Sequence, residues 1–229
     1  MRLSIISPAL DEAERIGVAL AGLQALRKRG AEVIVVDGGS TDATPVLAAP
    51  LADRVIAAAR GRARQMNAGA AQAKGEVLLF LHADTTLPDD ADRHVLDSLR
   101  QGKHGQGERV WGRFDVRING RARTLRMVAA LMNLRSRFSG IATGDQALFM
   151  TRAAFESVGG FPDQPLMEDI ELSRRLLTLS RPACLPGPAI TSGRRWESRG
   201  VWRTIYLMWR LRWLYARGET PARLAEWYR

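Results

Sequence analysis

Val33-Ile34-Val35-Val36-Asp37-Gly38-Gly39-Ser40-Thr41-Asp42 holds the pattern that decides the fold. Four consecutive β-branched residues with no polar alternation read as a strand buried on both faces. An acid, two glycines and three more polar residues follow at once, and the glycines allow positive φ and close backbone approach to a ligand. The pattern recurs: Leu3 to Ser7 runs into Pro8-Ala9-Leu10-Asp11-Glu12, with the strand expected to end at Pro8, and Val77 to Leu81 runs into His82-Ala83-Asp84. Helical stretches lie between. Ala13 to Arg29 carries Ile16, Leu20, Leu23 and Leu26 on one stripe and is stopped by Gly30. Asp42 is placed to cap a short helix, Asp53 to Ala57 is a weaker strand, and Gly61 to Ala73 is a helix. Strands alternating with helices imply a parallel sheet covered on both faces, with ligands outside the carboxyl ends of its strands.

The second half is less regular. Residues 89 to 101 read as a helix and Gln101 to Glu108 as a Gly-rich polar loop. Val110 to Ile118 alternates, with Val110, Gly112, Phe114, Val116 and Ile118 facing inward against Trp111, Arg113, Asp115 and Arg117. Arg121 to Phe138 is a basic, Met-rich helix, Gln146 to Met150 a strand, Glu168 to Ser180 a helix, and Thr191 to Arg229 a basic, Trp-rich tail, mostly helical. No repeat or low-complexity linker breaks the chain, so one domain with a C-terminal extension is expected.

The 229 residues are 46% hydrophobic and 25% charged, which excludes a disordered or collagen-like chain. Cys184 is the single cysteine, so no intramolecular disulfide forms and a reducing, cytoplasmic setting is expected. The first residues have too short an apolar stretch for a signal peptide, and no run reaches transmembrane length. The net charge of +10 calls for an anionic partner: nucleic acid, an acidic membrane or a phosphorylated substrate. Its distribution narrows the choice. Eight arginines lie between Arg109 and Arg137 against Asp115 alone, and nine between Arg194 and Arg229 against three glutamates. The excess charge therefore belongs to the second half and tail. Within the tail, Trp202, Trp209 and Trp213 alternate with Arg203, Arg210 and Arg212, as suits a helix lying on an anionic membrane or packed on the domain. No nucleic-acid motif accompanies the charge, and nucleic acid is the least favoured partner.

Three acidic clusters sit where loops are expected. Asp37, at a strand tip, can accept hydrogen bonds from a base or ribose. Asp84 can hold Mg²⁺ or Mn²⁺, hard cations that share oxygen ligands with a diphosphate. Glu168 and Asp169 open a helix, where acids commonly complement the dipole.

Taken in order, the segments Pro8 to Glu12, Asp37 to Asp42, Gly61-Arg62-Ala63-Arg64-Gln65-Met66-Asn67-Ala68-Gly69, Leu79 to Asp84, and Gly159 to Leu176 resemble the family 2 glycosyltransferases. The resemblance runs from about residue 2 to about residue 196. It is closest to a small bacterial branch associated with arsenosugar biosynthesis, which shares a segment like Arg194 to Thr204. The resemblance implies an α/β GT-A fold: a Rossmann-like, mostly parallel sheet with helices on both faces. Residues 1–100 would form a nucleotide-sugar half, 101–196 an acceptor half, and 197–229 a basic helical extension. Carried over, Pro8, Ala9, Asp11 and Glu12 line the nucleotide pocket, and Asp37, beside Gly39, binds base or ribose. Arg62 and Asn67 lie against the nucleotide and its phosphates. Asp84, after Ala83, holds the metal bridging the diphosphate. Gly144, Asp145 and Gln146 sit near donor sugar and acceptor. Asp169, with Glu168 beside it, is the base, and Arg195-Trp196 closes over the diphosphate. His82 stands where the family's Asp-x-Asp has its first acid, leaving Asp84 alone to carry the metal. His82 itself is expected to be satisfied by backbone groups.

The implied activity is metal-dependent, inverting transfer of a sugar, of hexosyl type, from a nucleotide diphosphate to an acceptor hydroxyl. UDP-sugars are favoured and GDP-sugars next. The acceptor is expected to be anionic or lipid-linked, and the helix N-terminus is expected to lower the pKa of Asp169. Two alternatives remain at this level: a nucleotidyltransferase, which would release pyrophosphate, and a non-catalytic module on membrane surfaces. A dehydrogenase is disfavoured because no Gly-x-Gly-x-x-Gly follows the first strand.

Overall fold

The structure, a computed structural model, describes residues 1–100 and 109–228. One eight-stranded sheet organises it, in the order β3-β2-β1-β4-β7-β6-β8-β5. Strands β1 (Leu3–Ala9), β2 (Glu32–Asp37), β3 (Arg54–Ala57) and β4 (Val77–Phe80) are mutually parallel and form the first half. β5 (Thr85–Thr86) lies at the far edge, antiparallel to β8 (Ala183–Ser192). Between them, β7 (Phe149–Thr151) runs antiparallel to both β4 and β6 (Trp111–Asn119), and β6 pairs β8 in parallel.

The all-apolar strands are buried on both faces, as their pattern requires. Ile5, Val33, Val35 and Leu79 point into one core with Ile16 and Leu20 of α1 (Ala13–Ala21), Leu26 of α2 (Gln24–Lys28) and Leu23 between the two helices. Their neighbours Ile6, Ile34, Val36, Leu78 and Phe80 point into a second core with Ala63, Met66 and Ala70 of α4 (Arg62–Gln72) and Leu172 and Leu176 of α8 (Glu168–Leu176). Each such side chain contributes about 1.5–3 kcal/mol by leaving water. Short helices α3 (Thr44–Ala48), α5 (Ala91–Arg100) and α7 (Arg152–Ser157) complete the layers. Gly69 sets how closely α4 approaches the sheet: a Cβ there would meet Ile6 Cγ2 at 2.4 Å.

The C-terminal helices fold onto this frame. α6 (Thr124–Ser139) packs Leu125, Val128 and Ala129 on Val116 and Ile118 of β6, against Trp196 of α9 (Arg194–Arg199) and Val201 and Ile205 of α10 (Val201–Ala216). Leu211 of α10 and Leu224 of α11 (Pro221–Tyr228) are buried against Met167 and Ile170. Among the described residues no helix is long and apolar enough to cross a membrane.

Several sequence expectations are corrected. β1 continues through Pro8, because β4 pairs it only as far as Ile6; beyond that point only the β2 side needs hydrogen bonds. The helix expected over Ala13 to Arg29 breaks at Gly22-Leu23, where tighter bonds such as Leu23 N–H to Leu20 O take over, while the apolar stripe stays buried. Asp42 is not itself the N-cap of α3; its carboxylate accepts from the Thr44 and Ala13 amides at 2.9 and 3.0 Å, tying α3 to α1. Residues Gly144–Gln146 form a turn of 3₁₀ helix, so the strand expected from Gln146 starts only at Phe149. In β6, Trp111 and Arg113 are fully buried rather than outward, because both faces of the sheet are covered there. The Trp111 indole donates to Ser180 O at 2.9 Å, and Arg113 pairs with Asp115 and donates to Asn133 O. Thr191 and Ser192 close β8 rather than opening the tail. The Gly-rich stretch 101–108 lies outside the described residues.

Candidate active site

At the carboxyl ends of β1 and β4 the sheet opens into a cavity of about 310 Å³. The β1 terminus supplies Pro8, Ala9, Leu10 and Glu12; the loop after β4 supplies His82, Ala83 and Asp84; Arg60 and Gly61 come from the turn leading into α4, and Arg62 and Gln65 from its first turn. A helix N-terminus with free amides, flanked by arginines, favours phosphate. Gln65 holds the two halves of this wall together, donating from Nε2 to Ala9 O and Val36 O, each at 2.8 Å.

Glu12, Arg62, His82 and Asp84 also line a second, larger cavity of about 820 Å³. Its inner wall holds Gly144, Asp145, Glu168 and Asp169, and its outer walls are α6, α9 and α10, including Arg195 and Trp196. Met167, left-handed at φ 66°, turns the chain so that α8 starts with Glu168 and Asp169 in the cavity wall.

Asp169 is held from two sides. Gly144 N–H donates to Oδ2 at 2.9 Å and Ile170 N–H to Oδ1 at 2.7 Å. Desolvation by burial nevertheless pushes its carboxyl above the usual aspartate range, helped by the charge of Asp145. The expectation of a lowered pKa is therefore overturned: loss of water outweighs the helix amides. Glu168 is raised as well, by burial first and then by the Asp169 charge. Asp145 goes the other way. Desolvation would raise it, but His82, whose Nδ1 lies 3.6 Å from Oδ1, together with Arg62 and Arg195, outweighs that and holds it low. His82 thus faces a carboxylate rather than backbone groups, and its ring lies so close to Gly144 that a Cβ there would meet Cε1 at 2.3 Å. Burial lowers the Arg195 guanidinium, with Arg62 and Arg199 adding to the effect.

The cavities bring together Pro8, Ala9, Glu12, Arg62, Ala83, Asp84, Gly144, Asp145, Glu168, Asp169, Arg195 and Trp196. Five expected residues line neither. Asp37 accepts from the Gly39 and Ser40 amides of its own loop, each at 3.0 Å, bracing the turn that holds Gly39, and Asp11 accepts from Thr41 N–H at 2.8 Å, lacing the β1 loop to the β2 loop. Asn67 spends its amide on Phe161, donating to O at 2.8 Å and accepting from N at 3.0 Å, so it anchors the Gly159-Gly160-Phe161 turn rather than a phosphate. Gln146 is buried in a reciprocal cap with Thr143. Helical spacing carried a signal here: Gln65 is three residues after Arg62 and shares its face, whereas Asn67, five after, points elsewhere. Arg135 was also missed. It follows Val128 and Met132 at the spacing of the inward face of α6, and it lines the second cavity.

Among the described residues no group of three His, Cys, Asp or Glu side chains is arranged to hold a metal ion alone. Asp84 by itself, exposed to both cavities, fits Mg²⁺ or Mn²⁺ only as ions that take one or two carboxylates and complete their shell with substrate phosphates and water.

A sheet of this order, with one cavity where the strand order reverses between β1 and β4 and a second bearing the Glu168–Asp169 acid pair, is the GT-A glycosyltransferase architecture. Residues 4–159 match the model of Glycosyl transferase family 2, and the chain belongs to that family. The probable glycosyltransferase YdaM of Bacillus subtilis (strain 168) is 29% identical over 244 residues, covering 95% of this chain and 55% of that protein. A beta-monoglucosyldiacylglycerol synthase of Synechocystis sp. (strain PCC 6803) is 26% identical over 217 residues, covering 86% and 43%. The chain spans about half the length of the curated relatives it matches. Among solved structures, S. aureus TarS 1-349 in complex with UDP-GlcNAc has a TM-score of 0.67 at 19% identity, covering 84% of this chain and 58% of that one. The mannosyltransferase PcManGT from Pyrobaculum calidifontis, in complex with GDP-Man and Mn²⁺, has a TM-score of 0.65 at 20% identity, covering 99% and 68%. At these identities the likeness is one of fold.

Proposed function

We propose that the chain transfers a sugar from a nucleotide diphosphate to an acceptor hydroxyl with inversion at the anomeric carbon, assisted by a divalent cation. One observation carries this: the two cavities meet at Glu12, Arg62, His82 and Asp84, and the Asp169 carboxyl lies only in the second. In-line displacement needs the leaving group and the base on opposite sides of the reacting carbon, and that division supports inversion.

The smaller cavity takes the nucleotide and diphosphate, with Arg62 and the α4 amides on the phosphates. Asp84 would hold Mg²⁺ or Mn²⁺. A bound cation supplies neutralisation of the charge that develops on the leaving diphosphate. Asp169, oriented by Gly144 and raised by burial with help from the Asp145 charge, takes the acceptor proton, with Glu168 beside it. Arg195 and Trp196 line the acceptor side.

The donors named in the TarS and PcManGT complexes support UDP-sugars first and GDP-sugars next. A hexosyl donor and a cytoplasmic site of action belong to the same reading, as does the division at residue 196 into transferase unit and helical extension. The Arg194 to Thr204 segment supports placement in the arsenosugar-associated branch. The test is product analysis. Incubation with a panel of nucleotide sugars and Mn²⁺ releases a nucleoside diphosphate, and the product's anomeric configuration is inverted; release of pyrophosphate, or retention, overturns the reading.

A further inference from the structure

The acceptor cavity has two chemistries besides its acids. Arg135 lines it with Nε and Nη2 buried and without a hydrogen-bond partner among the described residues. Unmet guanidinium donors in a desolvated wall are a standing cost that an anion removes. Arg194 and Arg212 line the same cavity, and neither is ion-paired among the described residues. Toward solvent the lining turns apolar, through Leu131, Leu134, Phe138 and Trp209. These four are 52%, 51%, 76% and 73% exposed, an unusual fate for such side chains. The exposure is concentrated: of fourteen large exposed apolar residues among those described, eight lie on α6 and α10. Beyond the cavity mouth, Trp202, Tyr206 and Trp213 continue the apolar surface along α10, with Arg203 and Arg210 on the same helix.

An occupant must therefore carry an anionic group deep inside, near a hydroxyl, and hydrocarbon outside. A soluble sugar phosphate leaves the apolar walls wet, and an uncharged lipid leaves the arginines unmet. We propose that the acceptor is an anionic lipid, drawn from a bilayer surface on which α6 and α10 rest, with its charged headgroup on Arg135 and Arg212 and its hydroxyl at Asp169. Charge complementarity commits the surface to this occupant, since aromatic residues beside arginines suit an anionic interface. The inference rests on the transferase reading and names its acceptor class. In the transfer, the lipid O–H bond breaks and its proton passes to Asp169. The lipid oxygen bonds the anomeric carbon, and the donor's sugar–oxygen bond breaks with its electron pair leaving on the diphosphate.

The test uses the full chain and two kinds of vesicle: phosphatidylcholine alone, and phosphatidylcholine mixed equally with phosphatidylglycerol. The chain is expected to sediment with the mixed vesicles and not with the neutral ones, and added salt should weaken the binding. Leu134→Ser combined with Phe138→Ser should weaken it about tenfold. Both side chains are exposed, so the melting temperature and its shift by nucleotide should be unchanged. With the nucleotide sugar that shifts the melting temperature most, radiolabelled sugar should enter the chloroform-extractable fraction in the presence of mixed vesicles. Equal sedimentation with both vesicles, indifference to the double substitution, or label confined to water-soluble product overturns the proposal; glycerophosphoglycerol replacing the vesicles would point to a soluble anion. If no nucleotide sugar shifts the melting temperature, it is the transferase reading that fails, and sedimentation still decides the docking surface.

Discussion

The backbone amide of Gly144 donates to Asp169 Oδ2 at 2.9 Å, joining the turn before β7 to the first turn of α8. The bond aims a carboxyl that burial keeps more basic than an ordinary aspartate. Position and basicity thus come from different sources, a loop amide and the loss of water, and each can be changed separately.

Asp169→Asn keeps the shape and removes the basic oxygen. Transfer should fall by about 10²–10⁴-fold, the usual worth of a positioned base. The melting temperature should not fall, because a buried charge is removed along with it. A turnover assay beside a melting curve checks both.

Gly144→Ala should impair the same site sterically. The added Cβ would come within 2.3 Å of His82 Cε1, a half-enclosed ring that faces Asp145. Moving His82 or the Gly144 amide misplaces Asp169, and displacements of about 1 Å can cost about 10²-fold in rate. Turnover should drop while nucleotide binding at the smaller cavity is nearly unchanged, which separate rate and binding measurements reveal.

The raised carboxyls make a signed prediction about pH. Glu168 and Asp169 bind protons more tightly folded than unfolded, so their contribution to stability falls as pH rises from the unfolded value, about 4, through the raised folded value. Glu168→Gln cannot lose a proton. It should therefore melt higher than the parent at neutral pH, and the gap should close as pH falls toward the unfolded carboxylate value. The activity of the parent should likewise fail on the acid side at a pH above the ordinary aspartate range.

Asn67→Ala separates the anchoring role from the phosphate role. Both amide atoms of Asn67 serve Phe161, whose ring packs on Phe80 at 4.9 Å. The substitution should destabilise by about 1–3 kcal/mol, since the Phe161 backbone groups lose their partner. Nucleotide affinity should be unaltered. Denaturant melts and a binding isotherm distinguish the two.

The first half was legible because its strands are apolar on both faces and its helices carry a clean stripe, so local pattern and tertiary environment agree. β8 was not legible: Ala183 to Ser192 contains two prolines and a glycine, and it is a strand only because β6, more than sixty residues earlier, pairs with it across a bulge between Phe114 and Val116. Trp111 and Arg113 misled for a related reason, since alternation reports one buried face and β6 has two there. At the site, Asp84, Glu168 and Asp169 stood out as acids at element ends. The raised basicity of Asp169 did not, because it arises from burial by segments distant in sequence. Nor did the use of Asp11 and Asn67 as braces, which depends on loops meeting in space.

Nucleotide binding by Asp84 is the most direct measurement of the central claim. Melting temperatures are recorded with UDP and GDP, with and without Mn²⁺, for the parent and Asp84→Ala. At about 100 times its dissociation constant, a bound nucleotide should stabilise the parent by about 2.7 kcal/mol. The shift should require Mn²⁺ and be lost in Asp84→Ala, while the unliganded variant melts like the parent. A shift that survives without the cation and in Asp84→Ala, or no shift with either nucleotide, would contradict the account.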